Sequence, residues 1–324
     1  MHIWTDLNKL PTFRRAVVTI GSFDGVHHGH QRILERLGEI AAAVDGETVV
    51  ITFEPHPRLV IAPDDGSLRL LQTIEEKCRL LAACGVAHTV VVPFTKAFSE
   101  QSPAAYIRDF LVRYFAPHTV VIGYDHHFGK DRAGDLAYLT RAAVEYGFAV
   151  VEISRLDIDA IAVSSTKIRK ALEAHDLVSA NALLGHRFTF GGIVVRGDQI
   201  GRTIGYPTAN IVPNSVHQLI PADGIYAVRV HLPDPNDPTR EVVFGGMLYI
   251  GTRPVVRGTV RRIEVNIFEF SSDVYGQTLR LEFVAYLRGD LPFTTLDALK
   301  TQLADDAIAA KIALQQAEYL PTHL

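Results

Sequence analysis

From Ala16 onward the chain alternates short β-branched runs with amphipathic stretches, and this alternation restricts its fold more than any other feature. "AVVTIG" leads into "HQRILERLGEIAAAV", "TVVITF" into "TIEEKCRLLAACG", "HTVVVPF" into "PAAYIRDFLVRYF", "HTVVIG" into "DLAYLTRAAVEYG", and "FAVVEIS" into "SSTKIRKALEA". Apolar runs of about four to seven residues without strict alternation suit strands buried on both faces, and the stretches between them carry the i, i+3, i+4 spacing of helices. A βα unit repeated in this way predicts an α/β domain with a parallel sheet covered on both sides. Ligands are then expected outside the carboxyl ends of the strands.

After "HDLVSANALLG" the helical period disappears. Between Phe188 and Tyr286 stand "FTFGGIVVRG", "GIYAVRVHL", "REVVFGGMLYIG", "RRIEVNIFEF" and "TLRLEFVAYLR", separated by Gly, Pro, Asp and Asn clusters. Strands with turn signals and no helix between them predict an antiparallel sheet or small barrel. A closing helix is expected over 294–320, with Thr294 or Thr295 as its N-cap. The predicted boundary lies near Gly185, giving domains 1–184 and 185–324, and 324 residues at 48% hydrophobic are enough for two cores. A net charge of −4 lends no support to general attraction to nucleic acid or anionic membrane, so any phosphate binding must be local. No stretch approaches the roughly 20 apolar residues of a membrane span. The start "MHIWTDLNKLPTF" lacks the order of a signal peptide, and a cytoplasmic protein is expected. Cys78 and Cys84 fall in one predicted helix about 9 Å apart, beyond disulfide range, and read as core residues. Nothing in the residues signals an oligomeric state.

The stretch "GSFDGVHHGH" joins the first of these strands to its helix. A strand ending at Gly21, a tight turn through Phe23 and Asp24, and a helix starting near Gly29 put His27 and His30 beside free helix amides, which favour an anion. Two imidazoles there can donate hydrogen bonds to phosphate oxygens as charge develops; His28 should face solvent. A zinc site competes, although no CxxC or HExxH partner completes a ligand set. Capping or surface histidines are the plainer alternative. In "VSSTKIRKAL", Ser164, Ser165 and Thr166 are candidate caps, and Lys167 and Arg169 occupy the first helical turn. Cations oppose the helix dipole there, which suits a bound polyanion, or else the turn is simply solvated. "FEPHP" with His56 and "GYDHHFGKDRAGD" with Asp125 follow two further strands.

Together "GSFDGVHHGH", "FEPHP", "GYDHHFGKDRAG" and "SSTKIR" resemble the FMN adenylyltransferase module of bacterial bifunctional riboflavin kinase/FAD synthetases, in the HxGH nucleotidylyltransferase superfamily. The resemblance covers roughly the first 180 residues and implies a Rossmann-like fold. It implies that His27 and His30 stabilise the ATP α-phosphate under attack. Gly21, Phe23, Ser165, Thr166, Lys167 and Arg169 then serve ATP and its phosphates, and Asp24, His56 and Asp125 lie near nucleotide or flavin. FMN's phosphate can attack the α-phosphate directly, so no protein nucleophile is required.

In the second half, "GGIVVRGDQIGRTIGYPTANI" carries Gly192, Gly197 and Gly201 ahead of Pro207, Thr208 and Asn210. Glycines let backbone amides approach phosphate, or else they only make turns. Thr208 and Asn210, alternating in an extended segment, would point the same way and offer two oxygens suited to Mg²⁺. In "RRIEVNIFEF", Ile263, Val265 and Ile267 share one face of a strand, and Glu264, Asn266 and Phe268 share the other. Glu264 is then an ordinary surface charge or a general base. These stretches with "DGIYAV", "IGTRP" and "FVAYLRGDLPF" resemble the riboflavin kinase module of the same enzymes, from about Gly185 to Asp306. The resemblance implies that Thr208 and Asn210 hold Mg²⁺ and ATP phosphates, that the three glycines line the ATP site, and that Glu264 accepts the proton of riboflavin's terminal hydroxyl. The implied small-molecule partners are riboflavin, FMN, FAD and ATP, with Mg²⁺ and without nucleic acid or membrane. Three other functions compete. One is a nucleotidylyltransferase for another acceptor, with PTAN and Glu264 against it. An RNA-binding relative of class I aminoacyl-tRNA synthetases lacks the expected basic, aromatic strip. A non-catalytic flavin carrier should carry damaged motifs.

Overall fold

The computed structural model describes residues 1–63, 66–153, 163–197, 199–255 and 258–318. The chain divides into two compact units, Met1–Leu68 with Ile74–Ser164, and Arg69–Thr73 with Ser165–Leu324.

In the first unit, β1 (His2–Trp4), β2 (Val17–Ile20), β3 (Thr48–Glu54), β4 (His88–Pro93), β5 (Thr119–Gly123) and β6 (Ala149–Ile153) form a sheet in the order β1-β4-β3-β2-β5-β6. Every pairing is parallel. The predicted β-branched runs become β2 to β6; Ser154, the last residue of "FAVVEIS", lies outside the described residues. Alternate residues of each central strand feed two separate cores. Val18, Val49, Ile51 and Val120 join one, with Phe110 and Phe115 of the helical run 103–115 and Leu139 of α3 (Leu136–Tyr146). Val17, Val50 and Val121 join the other, with Leu34 and Leu37 of α1 (His28–Ala43) and Leu81 of α2 (Ile74–Ala83). Both faces are therefore dry, which is why these strands read as continuous apolar runs. The chain leaves β2 toward β3 on one side and β5 on the other, so the crevice of a doubly wound sheet opens at the carboxyl end of β2.

The second unit starts with α4 (Ser165–Glu173) and α5 (Leu177–Leu184), which ends on Gly185 in the left-handed conformation, φ 77°. Then come β7 (Thr189–Val195), β8 (Ala209–Pro213), β9 (Gly224–Asp234), β10 (Asp237–Val255), β11 (Gly258–Ile267) and β12 (Thr278–Arg288), closed as a barrel in the order β10-β11-β8-β7-β12-β9. All its pairings are antiparallel. Helix α6 (Leu296–Glu318) closes the description; its first turn is capped by Thr295 Oγ1, which accepts from Ala298 N at 3.1 Å. Residues 319 and 320 of the expected helix lie outside the described residues.

Candidate active sites

The turn that follows β2 is unusual in its backbone. Phe23, Gly25 and Val26 all have positive φ (48°, 91° and 38°), and for a β-branched residue such as Val26 that conformation is strained. The turn is held nonetheless: Val26 N donates to Phe23 O at 3.1 Å, and the buried Gln31 amide donates to Val26 O at 2.8 Å. Its result is to start α1 at His28 with His27 as the N-cap. His30 N donates to His27 Nδ1 at 3.4 Å, which leaves Nε2 as the ring nitrogen able to donate. The two rings stack with centroids 3.7 Å apart and planes 12° from parallel, and Phe23 lies 5.1 Å from His30. Burial, then the charges on His27 and Lys77, hold His30 well below the ordinary imidazole value. His30 is accordingly neutral near pH 7, and its Nδ1 is buried without a hydrogen-bond partner. Two stacked imidazoles, one of them held neutral, thus stand at a helix N-terminus, where free amides favour an anion; among the described residues no group of three or more His, Cys, Asp or Glu is arranged to hold a metal ion.

Asp24 is buried at 4% exposure within the same turn, and a Cβ on Gly21 would stand 3.1 Å from the Phe23 ring. His56 follows β3 and caps the single turn Pro57–Ile61, accepting from Arg58 N at 3.2 Å. Asp125 follows β5 and is exposed, beside His126, whose burial pushes it down to about 4. Because β3 and β5 flank β2 in parallel, all three loops emerge at one end of the sheet. Ser165, Thr166, Lys167 and Arg169 form the first turns of α4, in the second unit, where Arg169 Nε donates to Arg69 O.

In the barrel, register sets the chemistry. Glu264 of β11 pairs with Asn210 of β8 on one side and Tyr249 of β10 on the other. Thr208 Oγ1 donates to Glu264 Oε2 at 3.4 Å, Arg262 Nη1 lies 3.7 Å from Glu264 Oε1, and Asn266 Nδ2 donates to Pro207 O at 2.7 Å. The period of two therefore puts Arg262, Glu264 and Asn266 on one face, while Ile263, Val265 and Ile267 are buried on the other. The polar face borders a cavity of about 490 Å³ that also takes in Leu299 and Leu303 of α6, a size that suits a tricyclic ligand. A second cavity of about 420 Å³, reaching Asp273 and Tyr275, shares Thr208 and Gln199 with the first. Gly197 and Gly201 are tied to this wall: a Cβ would fall 2.3 Å from the Asn210 side chain in one case and 2.2 Å from Tyr206 O in the other. Gly192 lies within β7, where a Cβ would meet Ile211 and the Val212 carbonyl.

Two family models match the chain, "FAD synthetase" over residues 10–167 and "Riboflavin kinase" over 184–314. The bifunctional riboflavin kinase/FMN adenylyltransferase of Escherichia coli K12 is 37% identical over 91% of this chain and 91% of its own length. The chain belongs to this family. The Listeria monocytogenes relative of the same name is 36% identical over 94% of this chain. A crystal structure described as a macrolide-efflux protein from Streptococcus pneumoniae superposes with a TM-score of 0.81 at 28% identity, covering 96% of this chain and 98% of that one. Here no helix among the described residues is long and apolar enough to cross a membrane.

Several residues of the riboflavin kinase and adenylyltransferase modules escaped the sequence reading. Arg262 was findable, since it stands two residues before Glu264 in a strand whose Asn266 had already been placed on that face. Asp290, which accepts from Tyr249 OH at 3.2 Å, and the bidentate Arg288–Asp306 pair at 2.8 and 2.6 Å come from the end of β12 and from α6, and only tertiary structure brings them to the cavity. Lys77 looked like an ordinary helix lysine and is buried.

Proposed function

We infer that the two activities of this family run in separate modules of the chain. The barrel phosphorylates riboflavin with ATP to give FMN and ADP, and the parallel-sheet module joins FMN to the AMP part of a second ATP, giving FAD and pyrophosphate. The functional division we propose, 1–184 and 185–324, assigns α4 and its cations to adenylyl transfer although α4 belongs to the second compact unit.

The observation that carries the kinase assignment is Thr208 standing in the wall common to two cavities, with Glu264 on one side of it. Phosphoryl transfer requires alcohol and γ-phosphate to meet in line, so the cavity with the carboxylate takes riboflavin and the other takes ATP. Glu264 accepts the proton of the ribityl hydroxyl as it attacks, with Arg262 and Thr208 fixing the orientation of the carboxylate. Thr208 Oγ1 and the Asn210 amide oxygen, hard neutral donors, suit Mg²⁺ brought in on ATP, which would neutralise charge on the phosphates. Gly197 and Gly201 leave room for that approach.

In the sheet module FMN's phosphate is already an anion and needs no base. In this reading His27 Nε2–H and the His30 ring donate to the α-phosphate oxygens, and Ser165, Thr166, Lys167 and Arg169, by the family resemblance alone, serve the departing pyrophosphate. Asp24, His56 and Asp125 serve nucleotide and flavin at the strand ends. The same proposal includes a cytoplasmic location and partners limited to small molecules.

Purified protein given riboflavin and Mg-ATP, with flavins separated by chromatography over time, tests both steps. FMN should rise first and FAD follow. Unchanged riboflavin, with FAD formed only when FMN is supplied, would reduce the barrel to a binding module.

A further inference from the structure

Helix α2 turns an improbable side chain toward the core. Lys77 is 4% exposed on the same helix as Leu81 and Cys78, both buried, where an aliphatic residue would avoid the desolvation that burial imposes on an ammonium. Its Nζ donates to Thr52 Oγ1 at 3.3 Å, and that hydroxyl spends its own proton on Ser22 O, also at 3.3 Å. The ammonium is thus wired through one hydroxyl into the backbone of the turn that sets His27 and His30. Asp24, in that turn, and Glu54, at the end of β3, are the carboxylates whose charges act on it.

We propose that Lys77 is a positioning residue for adenylyl transfer: from inside the fold it anchors the Ser22–Asp24 turn and the Asp24 carboxylate, and so holds the stacked His27–His30 pair in its donor geometry. This rests on the reading that these histidines face the α-phosphate. Burial keeps Lys77 from solvent, so its influence passes through Thr52, Asp24 and the turn rather than by direct contact with substrate. Its charge adds a second effect. The titratable groups gathered around the two centres are Asp24, His27, His30, Glu54, Lys77 and Cys78, and Lys77, with burial and His27, depresses the His30 pKa. A neutral ring can keep its proton for donation over the whole neutral range, whereas an imidazolium would alter the balance of charge against ATP.

The test uses the full chain and measures FAD formation from FMN against pH, with FMN formation by the barrel as an internal control. Lys77→Met is expected to lower kcat for FAD formation roughly tenfold or more, the size of one lost charge-assisted hydrogen bond. It should also move the acid limb of the profile to higher pH, with the His30 NMR titration moving the same way, because removing a cation raises a neighbouring imidazole's pKa. Thr52→Val, which preserves volume and adds no charge, should reproduce part of the kcat loss even if the Met variant folds poorly. In combination with Asp24→Asn, Lys77→Met should cost no more than Asp24→Asn alone. Folded variants whose profile and His30 titration superimpose on the parent, or a loss that only tracks the loss of folded protein, would overturn the proposal. His30→Ala separates it from the underlying reading: if that variant still makes FAD, the histidine assignment itself fails.

Discussion

In the sheet module the groups at the candidate centre are nitrogens, two stacked imidazoles with a buried lysine tied to the same turn, whereas in the barrel they are oxygens: Glu264, Thr208 and Asn210. The nucleophiles explain the contrast. A phosphate arrives at one site already ionised and needs only positioning and charge relief, while an alcohol arrives at the other and must lose a proton. The scaffolds differ to match. Parallel strands deliver loops to one end of the sheet, so histidines and turn come from its crevice; the closed barrel has no such end, and its site is built on a strand face and covered by α6.

The sharpest way to break this comparison is to remove one member from each side. His30→Ala should lower FAD formation at least about 100-fold, as loss of a transition-state donor does, and leave FMN formation within about twofold. Glu264→Gln should do the reverse, with FMN formation down roughly 100- to 10,000-fold. Loss of both activities in either folded variant would mean the sites are not separate. Thr208→Val and Asn210→Ala should each raise the Mg²⁺ concentration that half-saturates the kinase by about tenfold, the scale of one oxygen contact, with FAD formation from FMN unmoved. Gly201→Ala, whose Cβ would press on Tyr206 O, should slow FMN formation several-fold through a shifted Thr208 and should not touch the other reaction.

The smallest effect concerns acid. His126 is held neutral at about 4, so the unfolded chain binds more protons as pH falls below about 6.5, and the first unit loses stability from there down to about 4. Glu282 in the barrel resists burial through hydrogen bonds from His231 and Arg187 and the charge of Arg229, which hold it to about 2. Its stabilisation is present above about 4.3 and lost only as pH falls toward 2. Urea titrations read at Trp4, the single tryptophan, should therefore show the sheet module weakening between pH 6.5 and 4 while far-UV circular dichroism of the barrel transition holds steady.

The parallel sheet was legible because burial on both faces writes itself into apolar runs; β1, three residues with His2 and Ile3 exposed, leaves no such trace and was missed. The antiparallel character of the second half was legible from its turns, but β8 was read only as an extended segment, since "PTANIVP" is short and bounded by Pro207 and Pro213. The candidate residues could be singled out because donors and acceptors cluster in sequence around His27 and Thr208. What joins Glu264 to Asn210, or Lys77 to Thr52, is register and helix facing, properties of paired elements that no single segment encodes. A lysine in "TIEEKC" carries no mark of burial until the strand beneath it is placed.

Barrel closure also dates the two modules during synthesis. β7 finds its partner β12 only after Glu282 has been made, so the barrel that carries the β8–β11 pairing of Asn210 with Glu264 closes late in translation. The six strands of the sheet are all present once Ile153 has emerged. On a growing chain the sheet can therefore assemble from early, largely local βα contacts, while the barrel waits for pairings of long sequence separation. The module that consumes FMN takes shape before the module that makes it.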